Sequence, residues 1–232
     1  MGEYIMKIAI WIIAAVVSYY VSGLNTAIIL SNAIYHRDIR ECGSGNPGFT
    51  NFKRSFGSKY AWFVFVADIG KGILLGLVFG WLFALIYEGS AMDMRQVGTA
   101  YTLIWAMLGH AFPVQYKFKG GKGFLVCIST LWIIDWRVGL CVTVFFVILL
   151  LIIKYMSLTT MIALSLGAVA LFFTGTALPA AIMYACCVLF MIWRHKENIG
   201  RLIHGTESKF SLGGKKKENK EPEAAADGKE SE

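Results

Sequence analysis

GSGNPGFTN, at residues 43–51, is the polar stretch around which the chain is organised, and Arg54 follows it. It lies between two apolar segments that are each long enough to form a membrane helix. Its glycines and proline disfavour regular structure and let backbone N–H groups approach a ligand. This combination predicts a loop that holds an oxyanion. The side-chain donors of the loop are Ser44, Asn46, Thr50, Asn51 and Arg54.

A second polar stretch begins at Gly109-His110 and ends in KGGKG at residues 119–123, again at the end of an apolar segment. Glycines and lysines beside the start of a helix suit a phosphate, through backbone amides and point charges. The alternative interpretation is a basic interfacial loop that binds no ligand, but such a loop would need the lysines and not the glycines. The candidate ligand-binding residues here are His110, Lys119, Gly120, Gly121, Lys122 and Gly123.

The third polar stretch is RHKENI at residues 194–199, and Arg201 follows it. His195, Asn198 and Arg201 recur at three-residue spacing and therefore share one face of a helix. Arg194 and Lys196 are typical of a positive-inside stop signal. The spacing alone leaves open whether His195 binds a ligand or is a buried structural residue.

The composition is that of a membrane protein. Of the 232 residues, 56% are apolar and 16% are charged, whereas ordinary soluble domains carry about 25% charged residues. The charges are also segregated, since Lys154 is the only charged residue between Val138 and Phe173. We therefore predict an all-α, polytopic integral membrane protein.

Seven apolar segments are candidate transmembrane helices, because about 20 apolar residues cross a bilayer. An alternative has five spans, with Val138–Phe173 as one long segment and the fourth segment re-entrant. The first segment is longer than the core of a signal peptide and is expected to be retained. The seven segments are Ile5–Leu30, Tyr60–Tyr87, Val97–Tyr116, Gly123–Ile134, Val138–Ile153, Tyr155–Phe173 and Ala177–Trp193.

Basic residues collect in alternate loops, which predicts the sidedness of the chain. The N-terminus is expected outside, and the C-terminus and all three polar stretches are expected on the cytoplasmic face. We expect residues 1–212 to form the membrane domain. Residues 213–232 are rich in Lys, Glu and Ala without apolar periodicity, which predicts a disordered, charged cytoplasmic tail.

Asp68 and Lys71 lie one helical turn apart within the second apolar segment. Ionisable groups at that depth are usually paired or line a polar cavity. A structural ion pair is the favoured interpretation, and direct contact with a ligand is the alternative.

Several other chemistries are not indicated. GSGNPG matches the dinucleotide pattern G-x-G-x-x-G, but its flanks are membrane helices rather than a βαβ unit. KGGKG lacks the first glycine and the final Ser or Thr of a Walker A loop. The histidines and the five cysteines have no metal-ligand spacing. We therefore expect no metal, no cofactor and no nucleic-acid partner.

Taken together, the three stretches resemble the bacterial acyl-phosphate:glycerol-3-phosphate acyltransferases, the PlsY family. The likeness extends from about Asp38 to Phe210 and includes DIGKG at residues 68–72 and GTE at residues 205–207. Phe49 and the run FLV at residues 124–126 are bulkier than the residues usual in that family. These two departures leave the acyl-chain preference open.

The resemblance implies transfer of a fatty acyl group from acyl phosphate to the sn-1 hydroxyl of glycerol 3-phosphate, giving lysophosphatidic acid and phosphate. By resemblance Ser44 and Arg54 would bind the glycerol phosphate, and Lys122 with the glycine amides would bind the acyl phosphate. Whether His195 or a substrate phosphate oxygen takes the proton stays open. The implied catalytic residues are Ser44, Arg54, Lys122, His195 and Asn198. The implied substrate-binding residues are Gly45, Asn46, Thr50, Asn51, His110, Lys119, Gly120, Gly121, Gly123, Glu197 and Arg201.

The resemblance also implies a setting, namely the bacterial cytoplasmic (inner) membrane, with membrane lipid around the protein and an enzyme that supplies acyl phosphate. A membrane transporter of an organic phosphate is the alternative function, although the sequence has no internal repeat of the kind that transporters commonly show. A scaffold with lipid-binding basic loops is a third interpretation, and it leaves the asparagines and glycines of the polar stretches unexplained.

Overall fold

The computed structural model describes residues 1–87 and 91–210, so the predicted tail at 213–232 lies outside the described residues. Regular structure in the described ranges is helical throughout, which confirms the all-α prediction there. Ten α-helices and two short 3₁₀ turns, Ile39–Glu41 and Val114–Tyr116, follow one another in these ranges. The helices are α1 Gly2–Gly23, α2 Thr26–Tyr35, α3 Phe49–Phe56, α4 Ser58–Ile86, α5 Ala91–Ala111, α6 Phe124–Ile134, α7 Trp136–Ile153, α8 Met156–Leu171, α9 Leu178–Arg194 and α10 Lys196–Ile203.

Helix α5 is the centre of the bundle and packs against α1, α4, α6 and α9. Small residues allow this close approach. A Cβ on Gly98 would lie 2.6 Å from the Phe83 ring, and one on Gly109 would lie 2.0 Å from the Tyr19 carbonyl oxygen. Membrane helices commonly associate through such small residues, since lipid supplies no hydrophobic drive between them. The polar content of α5 faces neighbouring helices, as the burial of Gln96 shows.

Three helical segments among the described residues are long and apolar enough to cross a membrane: Gly2–Tyr35, Ser58–Ile86 and Trp136–Ile153. A fourth is added if α9 and α10, which meet at an angle of 55°, count as one bent span. Helices α6 and α8 are apolar but shorter. The seven-span count and the orientation of the termini therefore stay predictions.

The boundaries of α6, α7, α8 and α9 agree with the sequence prediction to within about two residues, whereas α5 begins six residues before the predicted segment Val97–Tyr116 and ends five residues before that segment ends. The alternative in which Val138–Phe173 is one continuous segment is wrong, because α7 ends at Ile153 and Lys154 adopts a φ of 62°. Helix α8 then begins at Met156 and packs back against α7. A left-handed residue between two helices reverses the chain, so this region is a helical hairpin.

The first apolar segment is not one continuous helix. It breaks after Gly23, and the Oδ1 of Asn25 accepts a hydrogen bond from the Ile28 N–H at 3.0 Å, which caps α2. At this break the ammonium of Lys71 donates to the Leu24 carbonyl and also pairs with Asp68 at 3.0 Å. The side chains of Asp68 and Lys71 are 4% and 10% exposed. The predicted structural ion pair is confirmed, and it joins α4 to the break between α1 and α2.

Candidate active site

The three polar stretches meet at one cavity of about 140 Å³. A single buried water needs about 10–15 Å³ by the same kind of measure, so this cavity has room for a ligand. It is lined by polar residues of all three stretches and by apolar residues. The apolar part consists of Phe49, Phe124, Leu125, Met156 and Phe210.

The first stretch is a loop only as far as Gly48, because α3 begins at Phe49, and the loop is folded around Asn51 of that helix, which is 2% exposed. Its Oδ1 accepts the Ser44 N–H at 2.9 Å, and its Nδ2 donates to the Cys42 carbonyl at 2.9 Å. Gly43 has a φ of +57° and lies so close that an added Cβ would be 2.3 Å from the Asn51 Oδ1. Asn51 therefore holds the loop in shape, while Ser44 and Arg54 present exposed side chains at the cavity.

The glycines of the second stretch pack against the end of α5. The Gly120 N–H donates to the Ala111 carbonyl at 3.1 Å, and the Gly121 N–H donates to the His110 carbonyl at 2.9 Å. A Cβ added to Gly120 would lie 2.1 Å from the His110 carbonyl oxygen, and a Cβ added to Gly121 would lie 2.2 Å from the His110 Nε2. These two amides are therefore already hydrogen-bonded, and the absence of side chains serves close packing.

Four helices begin at the cavity. Residues of the first turn of α3, α6, α8 and α10 line it, namely Thr50, Leu125, Ser157 and Asn198. The start of an α-helix carries roughly half a positive charge from its unpaired N–H groups, and it attracts anions. The backbone thus contributes a positive field that does not depend on the glycine amides.

A hydrogen-bonded network joins the second and third stretches. Lys122 donates to the Oδ1 of Asn198, and the Nδ2 of Asn198 donates to the Oε1 of Glu207 at 2.6 Å. Glu207 also accepts from Ser157 at 2.7 Å and from the Arg201 guanidinium at 2.7 Å. Burial alone would raise the pKa of Glu207, but these hydrogen bonds outweigh it and lower the pKa. Glu207 is therefore an ionised hub.

Lys122 and His195, two further titratable groups of the cavity, have lowered pKa values as well. Burial, assisted by the positive charge of Arg201, lowers the pKa of Lys122 from 10.5 to about 8. Burial also lowers the pKa of His195 from 6.5 to about 4, so its imidazole is neutral near pH 7. The Nδ1 of His195 lies 2.8 Å from the Met191 carbonyl and donates its hydrogen there. The Nε2 is then the acceptor atom of His195.

The cavity brings together most of the residues that the sequence predicted. All five predicted catalytic residues line it. Six of the predicted substrate-binding residues also line the cavity, namely Asn46, Thr50, Asn51, His110, Gly123 and Arg201. Five predicted substrate-binding residues are not among the lining residues, namely Gly45, Lys119, Gly120, Gly121 and Glu197.

Five polar lining residues are absent from the predicted site, namely Asp68, Ser157, Thr160, Glu207 and Ser208. Glu207 lies in the segment 205–207 that carried the resemblance, so a signal was present. Asp68 had the signal of an ionisable residue inside a membrane helix. Ser157 has no comparable signal, because an apolar segment surrounds it and only the fold brings it to Glu207.

Comparison with known sequences gives a consistent result. A family description, "Glycerol-3-phosphate acyltransferase", matches residues 12–205. A glycerol-3-phosphate acyltransferase of Francisella tularensis subsp. holarctica is 33% identical over 193 residues, covering 83% of this chain and 89% of that protein. One from Coxiella burnetii is 31% identical over 205 residues, covering 87% of this chain and 99% of that protein.

Two solved structures are similar over nearly the same extent. The crystal structure of PlsY (YgiH), an integral membrane glycerol 3-phosphate acyltransferase, in its glycerol 3-phosphate form superposes with a TM-score of 0.78 at 28% identity. That match covers 87% of this chain and 96% of the other. The lysophosphatidic acid form of the same protein superposes with a TM-score of 0.75 at 27% identity, covering 87% and 95%.

Proposed function

This chain belongs to the glycerol-3-phosphate acyltransferase family, and from that premise we propose that it makes lysophosphatidic acid at a membrane surface with acyl phosphate as the acyl donor. The observation that carries the proposal is the cavity at which all three polar stretches meet. The cavity is lined by both cationic and apolar side chains, which suits a pair of substrates that consists of a soluble phosphate ester and an acyl chain with an anionic head.

The basic residues divide between the two anionic groups. Arg54 offers a two-pronged guanidinium to the phosphate of glycerol 3-phosphate, with Ser44 beside it. Lys122 and the start of α6 at Gly123 bind the acyl phosphate. The acyl chain runs past the apolar lining residue Phe124 toward lipid.

The reaction needs no acyl-enzyme, because an acyl phosphate is already an activated anhydride. The sn-1 hydroxyl oxygen attacks the acyl carbonyl carbon, an ester bond forms, and the bond from that carbon to the phosphate oxygen breaks. Lys122 offsets the negative charge that develops on the departing phosphate. Holding both substrates side by side supplies much of the remaining rate.

The hydroxyl proton passes to a phosphate oxygen, and His195 orients the hydroxyl. Burial lowers the pKa of His195 to about 4, which makes its imidazole a poor base near pH 7. The Nε2 of His195 is a hydrogen-bond acceptor, because the Nδ1 hydrogen is engaged by the Met191 carbonyl. It therefore fixes the direction of the hydroxyl without keeping its proton.

The site faces the cytosol at the bacterial inner membrane in this proposal. The charge asymmetry of the loops supports that orientation. Acyl phosphate is reactive and poorly soluble, so an enzyme that makes it at the same membrane would supply the donor.

The test is turnover by the purified protein in lipid. We expect lysophosphatidic acid and inorganic phosphate in equal amounts from acyl phosphate and glycerol 3-phosphate, read by thin-layer chromatography and phosphate release. Acyl-CoA and acyl-carrier protein should not replace acyl phosphate. Lys122→Met should lose turnover, whereas Lys154→Met, at the bend between α7 and α8, should keep it. Counterflow of labelled glycerol 3-phosphate in proteoliposomes without product would instead support a transporter.

A further inference from the structure

Two buried polar side chains that line the cavity have no substrate atom assigned to them in the proposed reaction, although the family resemblance includes His110 among the substrate-binding residues. Asp68 is 3% exposed and His110 is 4% exposed, and both line the cavity. They come from α4 and α5, which pack against each other. Neither residue belongs to the network around Glu207.

Each of these side chains has a polar atom without a partner in residues 1–87 and 91–210. The Nδ1 of His110 is buried and makes no hydrogen bond there. Asp68 bonds to Lys71 through Oδ1, whereas its Oδ2 makes no hydrogen bond in those ranges and is not fully enclosed, so it is open to a ligand in the cavity. A buried polar group that stays unpaired costs roughly 1–3 kcal/mol, so native proteins usually pair such groups with a ligand, a water or an ion.

Phosphate is the wrong partner for this wall. A carboxylate repels a phosphate, whose favourable positions are beside Arg54, Lys122 and Arg201. The other lining carboxylate, Glu207, already accepts hydrogen bonds at both oxygens. Asp68 can therefore still accept a hydrogen bond from a ligand group that donates one.

A hydroxyl group meets both requirements, since it donates one hydrogen bond and accepts others. It can donate to the free oxygen of Asp68 and exchange a hydrogen bond with the imidazole of His110. Glycerol 3-phosphate has two hydroxyls, and the reacting one lies at His195 in the proposed function. The secondary hydroxyl is the polar group of that substrate which is still without a binding residue.

We propose that Asp68 and His110 form a hydroxyl-binding subsite that recognises the secondary hydroxyl of glycerol 3-phosphate. The proposal rests on the proposed function and adds a source of acceptor specificity to it. A site built around a hydroxyl discriminates against an analogue that lacks the group, because its buried polar atoms are then left unpaired. The two residues also orient the glycerol backbone, so that the sn-1 oxygen faces the acyl carbonyl.

Phosphate monoesters with and without the secondary hydroxyl provide the test. The kcat/KM values of glycerol 3-phosphate and of propane-1,3-diol monophosphate, which has no secondary hydroxyl, are measured with one acyl phosphate. Wild-type protein should prefer glycerol 3-phosphate by at least about tenfold, since one hydrogen bond to a charged partner is lost with the analogue. In Asp68→Asn and in His110→Asn that preference should shrink toward unity.

A merely structural role would lower kcat/KM for both acceptors by the same factor and leave their ratio unchanged. Because Asp68→Asn leaves Lys71 without its carboxylate, the double variant Asp68→Asn/Lys71→Met is measured beside it, with thermal unfolding in detergent as the folding check. Asp38→Asn is the matched control, since Asp38 also pairs with a cation but does not line the cavity. It should keep the wild-type preference.

The outcomes separate this proposal from the one on which it rests. Equal use of both acceptors by the wild-type protein would overturn the subsite and leave the acyltransferase intact. An unchanged preference in the folded His110→Asn and Asp68→Asn/Lys71→Met variants would also overturn it. Absence of turnover with either acceptor would instead contradict the proposed function.

Discussion

The lowered pKa of Lys122 makes a direct prediction about activity at alkaline pH. The pKa is about 8 because the ammonium is partly removed from water and lies near Arg201. At pH 7 the ammonium form exceeds the amine about tenfold, and at pH 9 the ratio is roughly inverted. In the proposed function, the ammonium form of Lys122 binds the acyl phosphate and stabilises the departing phosphate. We therefore expect kcat/KM for acyl phosphate to fall above pH 8 by about tenfold per unit.

The assay is phosphate release over pH 5–10, with the spontaneous hydrolysis of acyl phosphate subtracted at each pH. The quantity measured is kcat/KM, because it reports the groups of the free enzyme. Lys122→Arg supplies the matched variant, since a guanidinium stays charged across this range. Whatever activity that variant retains should show no fall between pH 8 and pH 10.

The acid side of the profile gives an internal control. His195 stays neutral down to a pH of about 4, so it should not impose a fall between pH 5 and pH 7. A fall in that range should follow the phosphate of the acceptor instead, whose second pKa is about 6. A wild-type profile that is flat to pH 10, or an identical alkaline fall in Lys122→Arg, would refute the assignment of the alkaline limb to Lys122.

Three further predictions test the packing, the network and the sidedness. Gly109→Ala places a Cβ 2.0 Å from the Tyr19 carbonyl oxygen, so we expect the variant to lose about 1–3 kcal/mol of stability. Thermal unfolding in detergent measures this loss. Gly70→Ala is the control and should be close to neutral, because an added Cβ there has nothing within 4 Å. Ser157→Ala removes a hydrogen bond to the ionised Glu207 and should lower kcat/KM by about tenfold. A far smaller decrease would show that the network does not position Asn198. Sidedness is tested with single cysteines that replace exposed residues of the three stretches in a background without Cys141 and Cys186. Each cysteine should react with a membrane-impermeant maleimide only from the cytosolic side. Labelling of different stretches from opposite sides would contradict a shared site. The three positions are Ser44, Lys119 and Lys196.

Sequence patterns were sufficient for the parts of the fold that depend on local signals. Lys154 interrupts an apolar run, and the structure places the turn between α7 and α8 there. The pair of Asp68 and Lys71 was predictable from their spacing and from the cost of a lone charge at membrane depth. The break after Gly23 was not predicted, because Ser22, Gly23, Asn25 and Thr26 do not identify a helix cap until its hydrogen-bond partners are known.

The candidate site was predictable to the extent that its residues are contiguous in the chain. Glycines at residues 120 and 121 looked like phosphate-binding amides, and their N–H groups instead bond to the end of α5. Residue type alone does not distinguish a glycine that approaches a ligand from one that approaches a neighbouring helix. Ser157 shows the opposite limit, since only the packing of α8 brings it to the cavity.

Glu207 lies on the segment 204–210 that follows α10, and it is the common partner of Ser157, Asn198 and Arg201. The Phe210 N–H then donates to the Lys154 carbonyl at 2.6 Å, which fastens that segment to the turn before α8. During synthesis the other members of the network emerge from the ribosome before their acceptor does. A chain that ends before Glu207 therefore lacks the acceptor that joins Ser157, Asn198 and Arg201, and the network is complete only after the segment that follows the last helix has been made.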